Sequence, residues 1–223
     1  HGQIRRQRQM CIRDSSTLFP ARLYGIVDLG YAAPDDLARV TREMIAGGID
    51  VIQLRAKGHS EADIERWGRE LLPFCRDGGI PLIINDSPEV AAAIGADGVH
   101  VGQDDAAMND VRAIVGDDML VGRSTHSVHQ AAAAAADPRT DCIGFGPLFA
   151  TPTKPTYAPI GTREIQQVHE AHPDMPIFCI GGIKKENLPD VTAAGAERAV
   201  IVSGILQSPE ITAYVRESKA LLA

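Results

Sequence analysis

From residue 22 onward, short runs of consecutive apolar residues alternate with longer stretches in which apolar positions recur every three to four residues. The short runs predict strands at 22–29, 49–55, 82–84, 99–101, 120–122, 142–145, 177–180 and 199–202. The periodic stretches predict helices at 33–48, 60–77, 87–94, 110–115, 131–136, 162–172, 185–194 and 208–222. Local chemistry punctuates them: Gly47-Gly48 stops the first helix, and Ser60, followed by Glu61 and Asp63, caps the second. The alanine run 131–136 is low in complexity, yet alanine is the strongest helix former and permits close packing on a sheet.

The strands are continuously apolar rather than alternating, which is expected of strands covered on both faces. Each crossover is long enough for a helix and too short for anything else, so neighbouring strands should run parallel and side by side. Eight such units predict an α/β chain forming a single (β/α)8 TIM barrel. A doubly wound sheet is the alternative, but its first strand should open a Gly-rich dinucleotide loop, and Tyr24-Gly25-Ile26-Val27-Asp28 does not.

Composition narrows the function classes. The chain has 223 residues with 22 Lys+Arg against 29 Asp+Glu, a net charge of −7. Residues 1–16 carry four arginines and one acid, so the body is more acidic still, which argues against general nucleic-acid binding. No apolar run approaches the length of a membrane span. The four cysteines (Cys11, Cys75, Cys142, Cys179) lack metal-ligand spacing and read as free thiols of a reducing, cytoplasmic compartment. The segment 1–16 has no apolar centre for a signal peptide and fits no barrel element; it reads as a disordered or non-native tail, with residues 17–223 as the catalytic barrel. Oligomeric state leaves no signal.

In a barrel, function collects at the C-terminal strand ends. There the chain places Gln53, Arg55 and Lys57; Asn85 and Asp86; Gln103 and Asp105; Ser124, Thr125 and His126; Thr151-Pro152-Thr153-Lys154; Gly181-Gly182; and Ser203-Gly204. Few of these suit a core, and together they read as a ring around an anion. Gln53, Arg55 and Lys57 alternate along the second strand and should share the inward face, where two like charges need an anion or a carboxylate such as Asp86 or Asp105 between them. Asp86 reads equally well as a ligand of a hard cation and as a cap for the helix after it. Gly181-Gly182 and Ser203-Gly204 stand where barrels often bind phosphate, although a glycine pair alone is more simply a tight turn. His100 and His126 are ambiguous between hydrogen-bonding and catalytic roles.

The ordered set Gln53-Leu54-Arg55-Ala56-Lys57, Asn85-Asp86, Gly98-Val99-His100-Val101-Gly102-Gln103-Asp104-Asp105, Gly122-Arg123-Ser124-Thr125-His126, Gly144-Phe145-Gly146-Pro147-Leu148-Phe149, Thr151-Pro152-Thr153-Lys154 and Ile180-Gly181-Gly182-Ile183 resembles the thiamine phosphate synthase family. The resemblance implies coupling of a pyrimidinylmethyl diphosphate with a thiazole phosphate, so the partners are small phosphorylated molecules. It also implies Mg2+ on Asp86 and Asp105, with Arg55, Lys57, Ser124 and Lys154 in catalytic roles. Gln53 and Asn85 would contact the pyrimidine substrate, and Thr151, Thr153, Gly182, Val202 and Ser203 the thiazole phosphate. Two positions depart from the family pattern: Ser87, where arginine is common, and Arg123, where an aliphatic residue is usual; Arg123 could restore the charge missing at 87. Two other readings share the fold: a thiazole tautomerase, whose histidine position holds Gly146-Pro147 here, and a non-catalytic barrel that binds thiamine phosphate.

Overall fold

The computed structural model describes residues 18, 20–103, 107–151 and 158–222. The tail expected at 1–16 lies outside them. Eight parallel strands close into a barrel in sequence order: β1 (Leu23–Asp28), β2 (Val51–Arg55), β3 (Leu82–Asn85), β4 (Gly98–Val101), β5 (Leu120–Thr125), β6 (Cys142–Phe145), β7 (Ile177–Cys179) and β8 (Ala199–Ile201). Closure is made where Leu23 of β1 pairs with Ala199 of β8. Around it run α1 (Leu37–Gly47), α2 (Glu61–Gly78), α3 (Pro88–Ile94), α4 (Met108–Val115), α5 (Val128–Ala136), α6 (Ile165–Ala171), α7 (Leu188–Ala193), α8 (Ser203–Leu206) and α9 (Ile211–Ala220).

Closure divides the apolar residues into two cores, which explains why the strands are apolar at every position. Outward residues such as Leu23, Val27, Ile52, Leu54, Ile84, Val99, Val121 and Ile143 pack under the helices. Inward residues Tyr24, Ile26, Val51, Ile83, Leu120, Cys142, Phe178 and Val200 fill the barrel, and Leu18, just ahead of β1, packs among them at 1 % exposure. The space between Leu18 and this layer is about 10 Å³, roughly one water, so the N-terminal end is closed.

Three aspartates stitch that closed end. Each stands immediately before an even-numbered strand and accepts main-chain N–H groups at the start of the strand before it. Asp50 takes Arg22 and Leu23, each at 2.9 Å; Asp97 takes Leu82 at 2.9 Å; Asp141 takes Val121 at 2.8 Å. Asp141 also holds the buried Arg112 guanidinium at 2.6 Å, whose other donors reach the carbonyls of Gly116, Met119 and Arg139.

The expected elements are present, with shifted ends. The Ser60 hydroxyl caps α2 by accepting from Asp63 N at 3.2 Å. The first helix divides: Pro34–Asp36 form a 3₁₀ turn and α1 begins at Leu37. Strand β5 runs on to Thr125, three residues past its expected end, because Arg123, Ser124 and Thr125 pair with β6 and the buried Thr125 hydroxyl donates to Gly144 O at 3.1 Å. Where a loop was expected at Ser203-Gly204, a short helix forms; Gly204 leaves the room that the Tyr214 hydroxyl occupies.

Candidate active site

The C-terminal end of the barrel opens into a cavity of about 90 Å³. Its lining includes Gln53, Arg55, Asn85, Ser124, Thr151, Gly182, Val202 and Ser203, all read from the sequence as site residues. The walls differ. Strands β2–β5 supply side chains with charge or hydrogen-bonding capacity: Gln53, Arg55, Asn85, His100 and Ser124. Strands β6–β8 and the residues just beyond them supply Gly144, Gly146, Ile180, Gly181, Gly182 and Val202, mostly backbone and apolar surface, with hydroxyls only from Thr151 and Ser203 at the rim.

On the polar wall, Gln53 is buried, and its amide donates to the Tyr24 hydroxyl at 2.9 Å. Burial pushes the Tyr24 phenol well above its usual range, with a further rise from Cys142, so it stays neutral. The Tyr24 ring meets Phe178 edge-on, with centroids 5.3 Å apart, and these rings floor the cavity. His100 Nε2 lies 3.0 Å from the Ser124 hydroxyl. The imidazole fits because β5 and β6 carry glycines beside it: a Cβ on Gly122 would overlap Nδ1, and one on Gly144 would come within 3.4 Å of Cε1. The Ser124 carbonyl accepts from the Gln103 amide, and His126 Nδ1 lies 2.5 Å from Gly146 O.

Three expectations need correction. Arg55 has a partner that the sequence reading did not name: Asp28, the inward residue opposite it on β1, at 2.8 Å. Lys57 does not share the inward row with Gln53 and Arg55, because β2 ends at Arg55. Lys57 lies in the turn beyond, 64 % exposed, with Nζ 3.7 Å from Asp86 Oδ2. Arg123 alternates with the inward Ser124 and so faces the helices, where its charge acts on Asp137 and helps hold that carboxyl below its usual range behind the larger effect of Arg139. It does not serve the mouth.

Asp86 flanks the cavity, to which it adds no lining atom. It is the one non-glycine residue with positive φ among the described residues, at 60°. Its main-chain N donates to His100 O at 2.9 Å, and Ser87, at the start of α3, makes no side-chain cap bond. Left-handed backbone is tolerated by aspartate and concentrates at functional sites. Among the described residues no three His, Cys, Asp or Glu side chains converge on a metal position. Asp105, Thr153 and Lys154 lie outside the described residues. Asp86 itself offers the hard oxygen donors that suit Mg2+.

The glycines after β7 meet a turn requirement as well as lining the cavity. Gly181 and Gly182 have φ of 99° and 65°, and a Cβ on Gly182 would press within 2.7 Å of Phe149 Cβ. They let residues 148–149 run against β7, where Leu148 N donates to Ile180 O and Phe149 N to Gly181 O. Asp28 was not anticipated, although its signal was present: an acid two residues beyond Ile26 on the inward row of an otherwise apolar strand. His100 had a signal too, in glycines interrupting the two strands next to it.

A closed eight-stranded parallel barrel with its cavity at the C-terminal strand ends is a (β/α)8-barrel enzyme. The family model described as thiamine monophosphate synthase matches residues 23–205. The thiamine-phosphate synthase of Shouchella clausii is 40% identical over 205 residues, 92% of this chain and 96% of the relative. That of Acidothermus cellulolyticus is 39% identical over 208 residues, 93% and 98% of the two chains. The solved thiamine phosphate pyrophosphorylase of Pyrococcus furiosus superposes with a TM-score of 0.81 at 24% identity, over 93% of this chain and 96% of that one. The chain belongs to the thiamine monophosphate synthase family.

Proposed function

We propose that this chain joins 4-amino-2-methyl-5-(diphosphooxymethyl)pyrimidine to 4-methyl-5-(2-phosphooxyethyl)thiazole, giving thiamine phosphate and pyrophosphate, or to its carboxylated form, with carbon dioxide as a third product. The observation that carries the reading is the family match, which spans all eight strands and the described cavity wall. The bond from the pyrimidine methylene to the diphosphate oxygen breaks, and the oxygen leaves with the electron pair. The thiazole nitrogen then forms the new C–N bond to the resonance-stabilised cation. No general base is needed, so the task of the site is to stabilise developing negative charge on the leaving group.

Arg55, Lys57 and Lys154 supply positive charge to the diphosphate, and Ser124 donates a hydrogen bond, its hydroxyl oriented by His100. Gln53 and Asn85 hold the pyrimidine over the Tyr24–Phe178 floor. The backbone wall suits the second substrate: Thr151 and Thr153 offer hydroxyls, and Gly182, Val202 and Ser203 seat the thiazole phosphate. Asp86 and Asp105 would hold Mg2+, which when bound adds charge neutralisation at the departing pyrophosphate. The αL backbone of Asp86 and its approach to Lys57 support that assignment. No helix among the described residues is long and apolar enough to cross a membrane. The buried free thiols of Cys75, Cys142 and Cys179 support a cytoplasmic reading.

The test is pyrophosphate release by the purified protein with both substrates, with and without Mg2+, beside Asp86→Asn. Release that requires both substrates and Mg2+ and is lost in the variant is the expected result. Thiazole phosphate isomerisation without release would instead indicate a tautomerase. Tight thiamine phosphate binding without either activity would indicate a sensor.

A further inference from the structure

We propose that Asp28 is a positioning residue for the diphosphate site: it fixes the Arg55 guanidinium and touches no substrate itself. The proposal rests on the reading of Arg55 as a contact to the diphosphate.

Strand alternation sends Tyr24, Ile26 and Asp28 inward from β1, and the parallel register sets Asp28 directly beside Arg55 of β2. The carboxylate is 2 % exposed. Its Oδ2 accepts from Arg55 Nη1 at 2.8 Å, and its Oδ1 accepts from Gly30 N at 2.9 Å. The carbonyl of Asp28 also accepts from Tyr31 N at 2.9 Å and Ala32 N at 3.0 Å. The side chain is thus tied to the first turn of the β1–α1 connection and cannot rotate without breaking those bonds. A Cβ on Gly30 would stand 3.2 Å from Oδ1, so the turn closes tightly on the carboxylate.

Arg55 lines the cavity and Asp28 does not, which places the arginine between the acid and any ligand. An arginine presents a planar fork, and holding one nitrogen fixes the direction of the remaining donors. A long side chain that would otherwise sample many rotamers is therefore aligned before the anion arrives, and such preorganisation is what charge-stabilising sites require.

The test measures binding of inorganic pyrophosphate with Mg2+ by calorimetry, and the two KM values, in wild type, Asp28→Ala, Asp28→Asn, Arg55→Ala and the Asp28→Ala/Arg55→Ala double variant. Asp28→Ala is expected to weaken pyrophosphate and raise KM for the pyrimidine diphosphate on the order of ten- to a hundredfold, leaving KM for the thiazole phosphate unchanged. Asp28→Asn keeps one acceptor of the same shape, enough for Arg55 Nη1 or Gly30 N but not both, and should recover part of the loss. It also keeps the proposal testable should Asp28→Ala fold poorly, since thermal unfolding reports stability separately. In the Arg55→Ala background the second substitution should add nothing. Wild-type pyrophosphate binding by Asp28→Ala, with Arg55→Ala impaired, would overturn the positioning role alone. Equal losses from Asp28→Ala with and without Arg55 would also overturn it. Unchanged binding in Arg55→Ala would remove the diphosphate reading of Arg55 and this proposal with it.

Discussion

Three aspartates at the N-terminal end of the barrel and Asp86 at the other end use the same side chain in opposite ways. At the N-terminal end, Asp50, Asp97 and Asp141 direct their oxygens at main-chain amides of neighbouring strands, and Asp141 adds a buried arginine. At the C-terminal end, Asp86 keeps 26% of its side chain in solvent, sits on left-handed backbone and has its lysine at 3.7 Å, beyond hydrogen-bond length. The first set is stabilised by its surroundings, the second is held in a conformation its surroundings impose. A carboxylate spent on main-chain amides of neighbouring strands maintains structure, while one partly in solvent on left-handed backbone is suited to reach a ligand.

The sharpest way to break this comparison is Asp141→Ala. It strands the Arg112 charge in a buried site and should lower unfolding free energy by about 3–5 kcal/mol, with kcat per folded molecule unchanged. Urea titration and turnover on one preparation check both halves, and a large loss of kcat would erase the division between ends. Next in size is Asp86→Asn, expected to reduce turnover by roughly 10² to 10³ while moving unfolding free energy by no more than about 0.5 kcal/mol. A drop in stability matching the drop in rate would make Asp86 one more structural acid. Asp97→Ala leaves Leu82 N without its acceptor and should cost about 1–3 kcal/mol with normal kinetics.

The smallest effect is a pH dependence in the helical shell. Burial lowers the pKa of His169, against the opposing influence of Glu197, so the folded protein binds its proton less readily than the unfolded chain. Stability should fall as pH drops from about 6.5 towards the lower folded value, and be unaffected above it. His169→Gln should flatten that slope in thermal unfolding from pH 7.5 to 5 and leave the pH profile of kcat unchanged.

The barrel was legible because its strands are buried on both faces by two separate cores, so each reads as an unbroken apolar run with a polar tip. Gln53, Arg55, Asn85, Ser124, Thr151, Gly182 and Ser203 were legible by position alone, since strand ends in a closed barrel must converge, and Val202 only through the family resemblance. What escaped depended on contacts between distant residues. Nothing local marks Arg123 to Thr125 as strand, because the partner that recruits them is β6. Lys57 was misplaced by extending strand alternation past the residue where pairing stops. Asp28 escaped because an acid at the end of an apolar strand reads as an ordinary polar tip until the register sets Arg55 beside it. Arg55 was read beside Asp86 or Asp105, the acids of the neighbouring motifs, when the register supplies Asp28 directly alongside.

Leu18 closes the far end of the barrel, so among the described residues the cavity is a well that opens at the C-terminal strand ends. Two substrates and their products share that opening. If one of them sits beneath another, it has to enter first and leave last, and depth would then set the order of traffic.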